Sequence, residues 1–186
     1  MFTSLENVIK CYSDDNFYEI QGLNPLVVEY TNGLSGAVLD LGAGTGTNSN
    51  YLLKKGFKVT AVEINPKAAI LLRQSGIRVL QQDVTKLKWR RKDYYSLILC
   101  LYVFQHLKDK EIANVIKGMQ YSLKTQGIII ISSFLTQSNT FSLRALNDFF
   151  CQDKRFKIMA KDNWQRLDTS HNIPHYHEGF YVVVQK

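Results

Sequence analysis

The hydrophobic pattern of the chain alternates between short apolar runs and longer stretches with apolar residues at helical spacing. The runs contain few polar residues, as expected for strands that helices cover on both faces. Five runs can be placed, at residues 38–41, 59–62, 77–80, 95–101 and 128–131. This alternation predicts an α/β fold with a doubly wound, mostly parallel sheet.

The helices between these strands are predicted from the residues at their ends. Residues 48–55 are predicted to be helical with Gly56 as the end, and Asn65 followed by Pro66 predicts a helix that Gly76 ends. Asp109 is predicted to cap a later helix, whose apolar positions recur at helical spacing up to residue 123.

The first 34 residues contain scattered aromatic residues, an interruption at Pro25 and no strand-like alternation. We expect them to form short helices, as an N-terminal cover ahead of the main domain at residues 35–186. Tyr12 and Tyr18 could contact a ligand from this cover, or the aromatic residues could fill the core.

Three glycines at alternate positions directly follow the first apolar run. Gly42, Gly44 and Gly46 lack Cβ atoms, so the backbone can turn sharply and a ligand can approach it closely. The next helix would point its free N–H groups at that ligand. The pattern predicts a loop that binds a nucleotide-type cofactor.

The spacing of the glycines discriminates among cofactors. A dinucleotide loop requires Gly-x-Gly-x-x-Gly, but the sixth position here is Thr47. A P-loop requires a following Gly-Lys-Ser/Thr, which the chain lacks. Nicotinamide cofactors and P-loop nucleotides are therefore disfavoured.

Polar residues also follow the second and fourth strands, where the carboxyl ends of parallel strands meet. Glu63 ends the second strand and could accept hydrogen bonds from both hydroxyls of a ribose, or from the start of a helix. Gln105 and His106 follow the fourth strand and could face the reacting groups, although His106 could equally cap the next helix.

Size and composition limit the class of protein. The chain has 186 residues and is 45% hydrophobic, which suits a single domain. No run approaches the ~18 apolar residues of a membrane span, and no basic stretch precedes an apolar run at the N-terminus, so we expect a cytoplasmic protein. Cys11, Cys100 and Cys151 lack Cys-x-x-Cys spacing, which argues against a disulfide framework or a cysteine zinc site.

The charge balance favours an anionic substrate or a nucleic acid and does not decide between them. The chain has 23 Lys and Arg against 16 Asp and Glu, a net charge of +7. The densest basic cluster surrounds Trp89 and comprises Lys86, Lys88, Arg90, Arg91 and Lys92. We predict a solvated turn before the fourth strand in preference to a nucleic-acid patch.

The order of these features across residues 35–133 resembles that of class I S-adenosylmethionine-dependent methyltransferases, beginning with Asp40-Leu41-Gly42-x-Gly44-x-Gly46. Within that superfamily the chain looks like the small tellurite-resistance methyltransferase group. That closer resemblance rests on Asn48-Ser49, Tyr51-Leu52, Val103-Phe104-Gln105-His106-Leu107, Trp164 and the closing His175-Tyr176-His177. Thr47 stands where that group commonly has Arg, and Lys124-Thr125-Gln126-Gly127 where it commonly has Lys-Pro-Gly-Gly.

The resemblance implies S-adenosylmethionine as cofactor, S-adenosylhomocysteine as product, and a methyltransferase domain at residues 35–186. It implies a seven-stranded sheet with an antiparallel last strand at 179–185 and a sixth strand at 164–168, or alternatively at 156–159. The cofactor-binding residues implied are Asp40, Gly42, Ala43, Gly44, Thr45, Glu63, Ile64, Asp83, Val84 and Cys100. Asp83 would lie near the adenine amino group, with a solvated turn as the alternative role.

Three of the four histidines lie in the segment expected to join the sixth and seventh strands. Because the seventh strand would be antiparallel, this loop should return above the cofactor. His171, His175 and His177, together with His106, are therefore candidate catalytic residues for acceptor binding or proton removal. Zinc binding with Asp168 is an alternative that Pro174 disfavours, and a polar surface hairpin is another. We predict no metal.

The function that the resemblance implies is methyl transfer to a small molecule, such as a thiol or a chalcogen oxyanion. Methylation of protein or RNA and a non-catalytic S-adenosylmethionine-binding regulator are the alternatives, since a fold does not fix an acceptor. No Asn-Pro-Pro-Tyr motif follows the fourth strand, which disfavours amino methylation of nucleobases. We expect no membrane partner, and a monomer or a homodimer.

Overall fold

The computed structural model describes residues 22–135, 143–168 and 175–186, apart from the side chains of Arg166, Asp168 and His175. Residues 1–21, with the proposed ligand contacts Tyr12 and Tyr18, lie outside the described residues. In chain order the elements are α1 (Pro25–Tyr30), β1 (Ala37–Leu41), α2 (Thr47–Lys54), β2 (Lys58–Glu63), α3 (Pro66–Gln74), β3 (Arg78–Gln81), β4 (Tyr95–Leu101), α4 (Asp109–Ser122), β5 (Leu123–Phe134), α5 (Leu143–Cys151), β6 (Lys157–Asp168) and β7 (His175–Gln185).

The strands form one seven-stranded sheet in the order β3-β2-β1-β4-β5-β7-β6. The pairings among β1, β2, β3, β4 and β5 are parallel, whereas β7 is antiparallel to both β5 and β6. This confirms the predicted doubly wound sheet with an antiparallel last strand. The strand order reverses between β1 and β4, so the crevice for a ligand lies at their carboxyl ends.

The core lies on both faces of the sheet. All seven residues of β4 are buried, as expected for a central strand between two helical layers. Ile98 and Cys100 face the layer of α4 and α5, whereas Leu97 and Leu99 face the layer of α1, α2 and α3.

The helix ends largely follow the sequence prediction. The Asn65 side chain accepts hydrogen bonds from the N–H groups of Lys67 and Ala68, at 2.8 and 3.2 Å, at the start of α3. Gly56 follows α2 with a φ of +88°. Pro25 begins the short helix α1, because proline suits a first helical turn. One prediction was wrong at the residue level. Asp109 is the first residue of α4 and not its cap, since Lys108 precedes it and donates its N–H to the Glu111 carboxylate.

The last two strands are longer than predicted. β6 runs continuously through both alternative locations, with a register shift near Ile158 that explains why the sequence pattern is broken there. β7 begins at His175, so His175, His177 and Glu178 lie in a strand and not in the predicted loop. Across the described ranges, no helix is long and apolar enough to span a membrane.

Candidate active site

The glycine loop turns through the left-handed region of backbone space. Gly42, Gly44 and Gly46 have φ values of +68°, +58° and +92°. A Cβ on Gly42 would lie 2.5 Å from Cγ2 of Val103, and one on Gly46 would lie 2.5 Å from Cδ2 of Leu72. Glycine is therefore required on both steric and conformational grounds.

The loop ends at a helix start without a side-chain cap. Gly46 is the N-cap residue of α2 and, because it has no polar side chain, accepts no capping hydrogen bond. The first N–H groups of a helix have no partner inside the helix and favour an anion or another acceptor. Ala43 and Thr45, both half-buried, complete this turn beside the carboxyl end of β1.

Glu63, at the end of β2, fastens the glycine loop. One carboxylate oxygen accepts the N–H of Gly44 at 2.8 Å, and the other accepts the N–H of Asn65 at 2.7 Å. The residue is only 1% exposed. Burial raises the pKa of Glu63, and the backbone hydrogen bonds partly oppose that rise. The backbone N–H of Ile64 acts on the same carboxylate, whose two oxygens have about four lone-pair sites in all, so acceptor capacity remains. The ribose contact of Glu63 stays a prediction.

Asp40 connects β1 to the start of α2. Its Oδ2 accepts a hydrogen bond from the Ser49 hydroxyl at 2.7 Å. Burial raises the pKa of Asp40 to about 6; the Ser49 hydrogen bond lowers it, and the nearby Glu63 adds to the rise. Through this hydrogen bond Asp40 connects the strand before the glycine loop to the helix after it. Its direct contact with a cofactor stays a prediction.

The other predicted cofactor-binding residues, including Asp83 as the adenine-side candidate, lie near the ends of strands. Asp83 caps a short 3₁₀ turn, where its Oδ1 accepts bonds from the N–H and the hydroxyl of Thr85, both at 2.8 Å. Ile64 and Val84 are half-buried and follow β2 and β3. Cys100 pairs with Leu41 next to the loop. Burial raises the pKa of the Cys100 thiol, so it is an unreactive core group and any cofactor contact involves its backbone.

His106 lies in the 3₁₀ turn Phe104–His106 that follows β4. Phe104 is buried in the core and anchors the turn. Gln105 accepts a hydrogen bond from the Ser133 hydroxyl at 2.9 Å, which connects the turn to β5. His106 is exposed to solvent at its edge, while partial desolvation by the surrounding protein lowers the pKa of its imidazole. A neutral imidazole is the form that can accept a proton.

Four rings meet at the carboxyl edge beyond β4 and β5. Ring centroids of Phe134 lie 5.1 Å from Tyr102, 5.2 Å from Trp164 and 5.1 Å from His177. We call these four residues the aromatic cluster. All four are half-buried, so the cluster presents ring surface at the edge of the site.

Two backbone features build the aromatic cluster. Tyr102 has a φ of +58°, a conformation that non-glycine residues adopt mainly where neighbouring structure enforces it. A Cβ on Gly179 would lie 2.2 Å from Cζ2 of Trp164, so this glycine allows the indole to cross over β7. The sequence prediction did not include Tyr102 or Phe134 among the site residues. Tyr102 directly follows the buried strand β4 and Phe134 ends β5, and these positions were the only sequence signal for them.

The predicted histidine group is brought together only in part. His177 joins the aromatic cluster, His175 begins β7, and His171 and the side chain of His175 lie outside the described residues. Within the described part of the chain, no three His, Cys, Asp or Glu residues form a possible metal site. The catalytic roles of these histidines stay predictions.

The residues present fit an adenosyl cofactor. The glycine loop offers a Cβ-free approach to the backbone, the start of α2 is uncapped by a side chain, and Glu63 and Asp83 are carboxylates at neighbouring strand ends. The glycine loop and the start of α2 would hold the amino-acid portion, Glu63 would hold the ribose and Asp83 would lie at the adenine.

Comparison with known proteins gives the same class. Residues 38–127 match the family described as "Methyltransferase domain". Together with the fold, this match identifies residues 38–127 as part of a class I S-adenosylmethionine-dependent methyltransferase domain. S-adenosylmethionine is the cofactor of the class.

Individual proteins resemble the chain at modest identity. It is 27% identical over 131 residues to a ubiquinone biosynthesis O-methyltransferase of Nitrosomonas europaea, covering 64% of this chain and 55% of that protein. TehB from Haemophilus influenzae has a TM-score of 0.77 at 20% identity, covering 96% of this chain and 67% of TehB. The N-methyltransferase NodS from Bradyrhizobium japonicum, solved with S-adenosyl-l-homocysteine, has a TM-score of 0.76 at 11% identity and covers 100% and 99% of the two chains. At these identities the two structures establish the fold. The chain spans little more than half the length of the O-methyltransferase.

Proposed function

We propose that this protein transfers the methyl group of S-adenosylmethionine to a small-molecule acceptor at the carboxyl edge of the sheet. The observation that carries the proposal is that the glycine loop and the aromatic cluster follow strands of the same edge, on either side of the β1–β4 reversal. The glycine loop suits the cofactor, and the aromatic cluster suits the acceptor. When bound, S-adenosylmethionine supplies a methyl group already activated by its sulfonium.

The main work of the protein would be to align the acceptor and exclude water. Bringing two reactants into the reactive geometry accounts for a large part of the rate enhancement in such transfers. The hydrogen bond between Ser133 and Gln105 fixes the turn after β4 against β5. The rings of Tyr102 and Phe134 then form one wall beside that turn.

Proton removal would be needed only for an acceptor that arrives protonated. His106 follows β4, and its lowered pKa keeps the imidazole neutral at pH 7. His177 lies against Phe134 at the other side of the aromatic cluster. Either imidazole could take the proton from the acceptor, and the pH dependence of the variants assigns the role.

The resemblance to the tellurite-resistance group favours a soft acceptor, a thiol or a chalcogen oxyanion. A second class, an aromatic hydroxyl, is favoured by a specific observation. The aromatic cluster offers ring surface on which a planar acceptor can stack. The similarity to ubiquinone biosynthesis O-methyltransferases supports the same class.

An acceptor screen tests the proposal. Purified protein is incubated with methyl-labelled S-adenosylmethionine and a thiol, selenite, tellurite, a catechol, a bulk protein or an RNA. We expect label in a small-molecule product, and label only in the protein or RNA would contradict the proposal. Gly42→Ala is the inactive control, because its Cβ would overlap Val103.

Ligand binding is measured separately by thermal shift. A ligand at 100 times its dissociation constant stabilises a protein by about 2.7 kcal/mol. S-adenosylhomocysteine should raise the melting temperature and NAD should not. The reverse result would indicate a nicotinamide protein.

A further inference from the structure

The connection between β3 and β4 leaves part of one sheet face without a helix. Strands that run parallel in one sheet are usually joined by a helix that packs on the sheet. Here the connection contains one 3₁₀ turn at Val84–Lys86, and residues 87–94 form neither helix nor strand. Trp89 closes the gap on one side by packing on α4, where a Cβ on Gly118 would lie about 2.0 Å from its ring.

The gap forms a cavity of about 280 Å³, which we call the basic pocket. Among the described residues that line it, none is acidic and five are cationic: Arg78, Lys86, Lys88, Arg90 and Arg91. The cations around Trp89 are exposed, as the prediction of a solvated turn requires, and four of the five also line this concave surface. Leu39 and Leu80 contribute its apolar floor.

The five cations have no carboxylate partner among the described residues. The ion pairs of the described chain involve Arg155 with Asp153 and Lys186 with Asp93. Arg91 lies over the ring of Tyr94, with its Cζ 4.2 Å from the centroid. All five residues are exposed, so solvent and salt screen their mutual repulsion, and an anion bound among them would relieve what remains.

None of the predicted cofactor-binding residues lines the basic pocket, although Gln82 and Lys86, one residue before Asp83 and two residues after Val84, do. Its floor includes Leu39 and Thr60, which are paired in the sheet, and Thr60 pairs with Arg78. Glu63 is three residues further along β2, which is roughly 10 Å at 3.3 Å per residue. An anion in the basic pocket would therefore leave Glu63 and the glycine loop free for a cofactor, while bordering the turn that Asp83 caps.

We infer that the basic pocket binds a compact anion with two adjacent phosphate groups, either as free diphosphate or as the diphosphate of a larger molecule. Its volume is just below the ~300 Å³ at which pockets for drug-sized ligands begin, so it suits a charged group of that size. Arginine guanidinium groups bind phosphate oxygens in pairs, and lysines add point charges. The combination of three Arg and two Lys matches a multivalent phosphate better than a single carboxylate.

The aromatic residues of the pocket favour this ligand over a nucleic-acid strand. Single strands bind through exposed rings on which bases stack. Tyr95 is 8% exposed and Trp89 packs its ring on α4, so at most one face of one ring is open to the pocket. The ring of Tyr94, which is exposed, already has Arg91 over it.

Isothermal titration calorimetry of the full chain with pyrophosphate tests the inference. The pocket variant is Arg78→Gln with Arg90→Gln. The matched control is Lys54→Gln with Lys154→Gln, which removes two positive charges at exposed positions outside the pocket. We expect one site per chain, retained in the control and weakened roughly tenfold or more in the pocket variant, since two charge-assisted hydrogen bonds are lost. Melting by circular dichroism verifies that all variants fold.

Two further ligands separate the sources of the diphosphate. ADP that displaces pyrophosphate indicates that the group is recognised on a larger molecule, whereas ADP that does not displace it indicates the free anion. A single-stranded RNA is the third ligand. RNA binding that is lost in the pocket variant and unaffected by pyrophosphate would overturn the inference, as would equal pyrophosphate affinities in wild type and pocket variant, or no binding at all.

Discussion

The carboxylate of Glu63 accepts the backbone N–H of Gly44 at 2.8 Å, across 19 positions of sequence. This bond joins the end of β2 to the middle of the glycine loop. Because the other oxygen accepts the N–H of Asn65, one buried side chain fixes both the loop and the start of α3. The residue predicted to bind the ribose therefore also determines the shape of the loop.

Replacing Glu63 separates these two roles. Glu63→Ala leaves two backbone N–H groups without their acceptor, at about 1–3 kcal/mol each. Glu63→Gln keeps one acceptor oxygen but turns an amide NH₂, which only donates, toward the other N–H. Because one of the two hydrogen bonds is retained, it should lose less stability than Glu63→Ala. Urea denaturation measures this, with the exposed Glu29→Gln as control. Glu63→Ala should also weaken the thermal shift with S-adenosylhomocysteine. An unchanged shift, despite lower stability, would exclude the ribose contact.

The stability contribution of Asp40 should depend on pH. Its pKa rises from an ordinary 3.8 to about 6 in the folded protein, so the folded state binds the proton more tightly than the unfolded state. Its contribution to stability therefore falls as pH rises from about 4 to about 6. Asp40→Asn retains an acceptor for Ser49 and cannot ionise. Between pH 4.5 and 7.5 the variant should gain about 2 kcal/mol relative to wild type, measured by urea denaturation at both pH values. A constant difference would contradict the assignment.

Gly179→Ala should displace Trp164 from the aromatic cluster. The new Cβ would lie 2.2 Å from the indole and 2.5 Å from the backbone oxygen of Ser133. Overpacking of this kind costs about 1–3 kcal/mol. The chain has two Trp residues, so fluorescence in a Trp89→Phe background reports on Trp164 alone. Gly22→Ala is the control, because nothing lies within 4 Å of its Cβ. An unshifted emission maximum in Gly179→Ala would show that the indole is not held there.

A protonated acceptor such as a thiol should reveal the base through the pH profile of kcat/KM. If His106 is the base, the acid limb should lie below pH 6.5, because desolvation lowers its pKa. His106→Gln should remove that limb and reduce kcat/KM about 10²- to 10⁴-fold. His177→Gln is the matched variant at the other side of the aromatic cluster. Loss of the limb in His177→Gln alone would assign the proton transfer to His177.

The sequence and the structure agree most closely along β1, β2 and the glycine loop. Residues 38–63 contain strong local signals, namely an apolar strand, glycines that need positive φ, and a second apolar strand ending in Glu63. Agreement was weaker at β6, where a register shift near Ile158 interrupts the pattern that marks a strand. It was also weaker at His175 and His177, whose polar character resembles a loop although they pair with β6.

The sequence by itself determined the doubly wound sheet and the glycine loop, because hydrophobic periodicity and glycine spacing are local properties of the chain. The class of enzyme followed from the resemblance of these features to a known family. Only the tertiary structure decided that Glu63 fastens the loop, that Trp164 crosses Gly179 to reach Phe134, and that four cations of one turn line a cavity with Arg78. These contacts join residues from different strands and turns. The sheet order and its register bring them together, and no local pattern encodes that proximity.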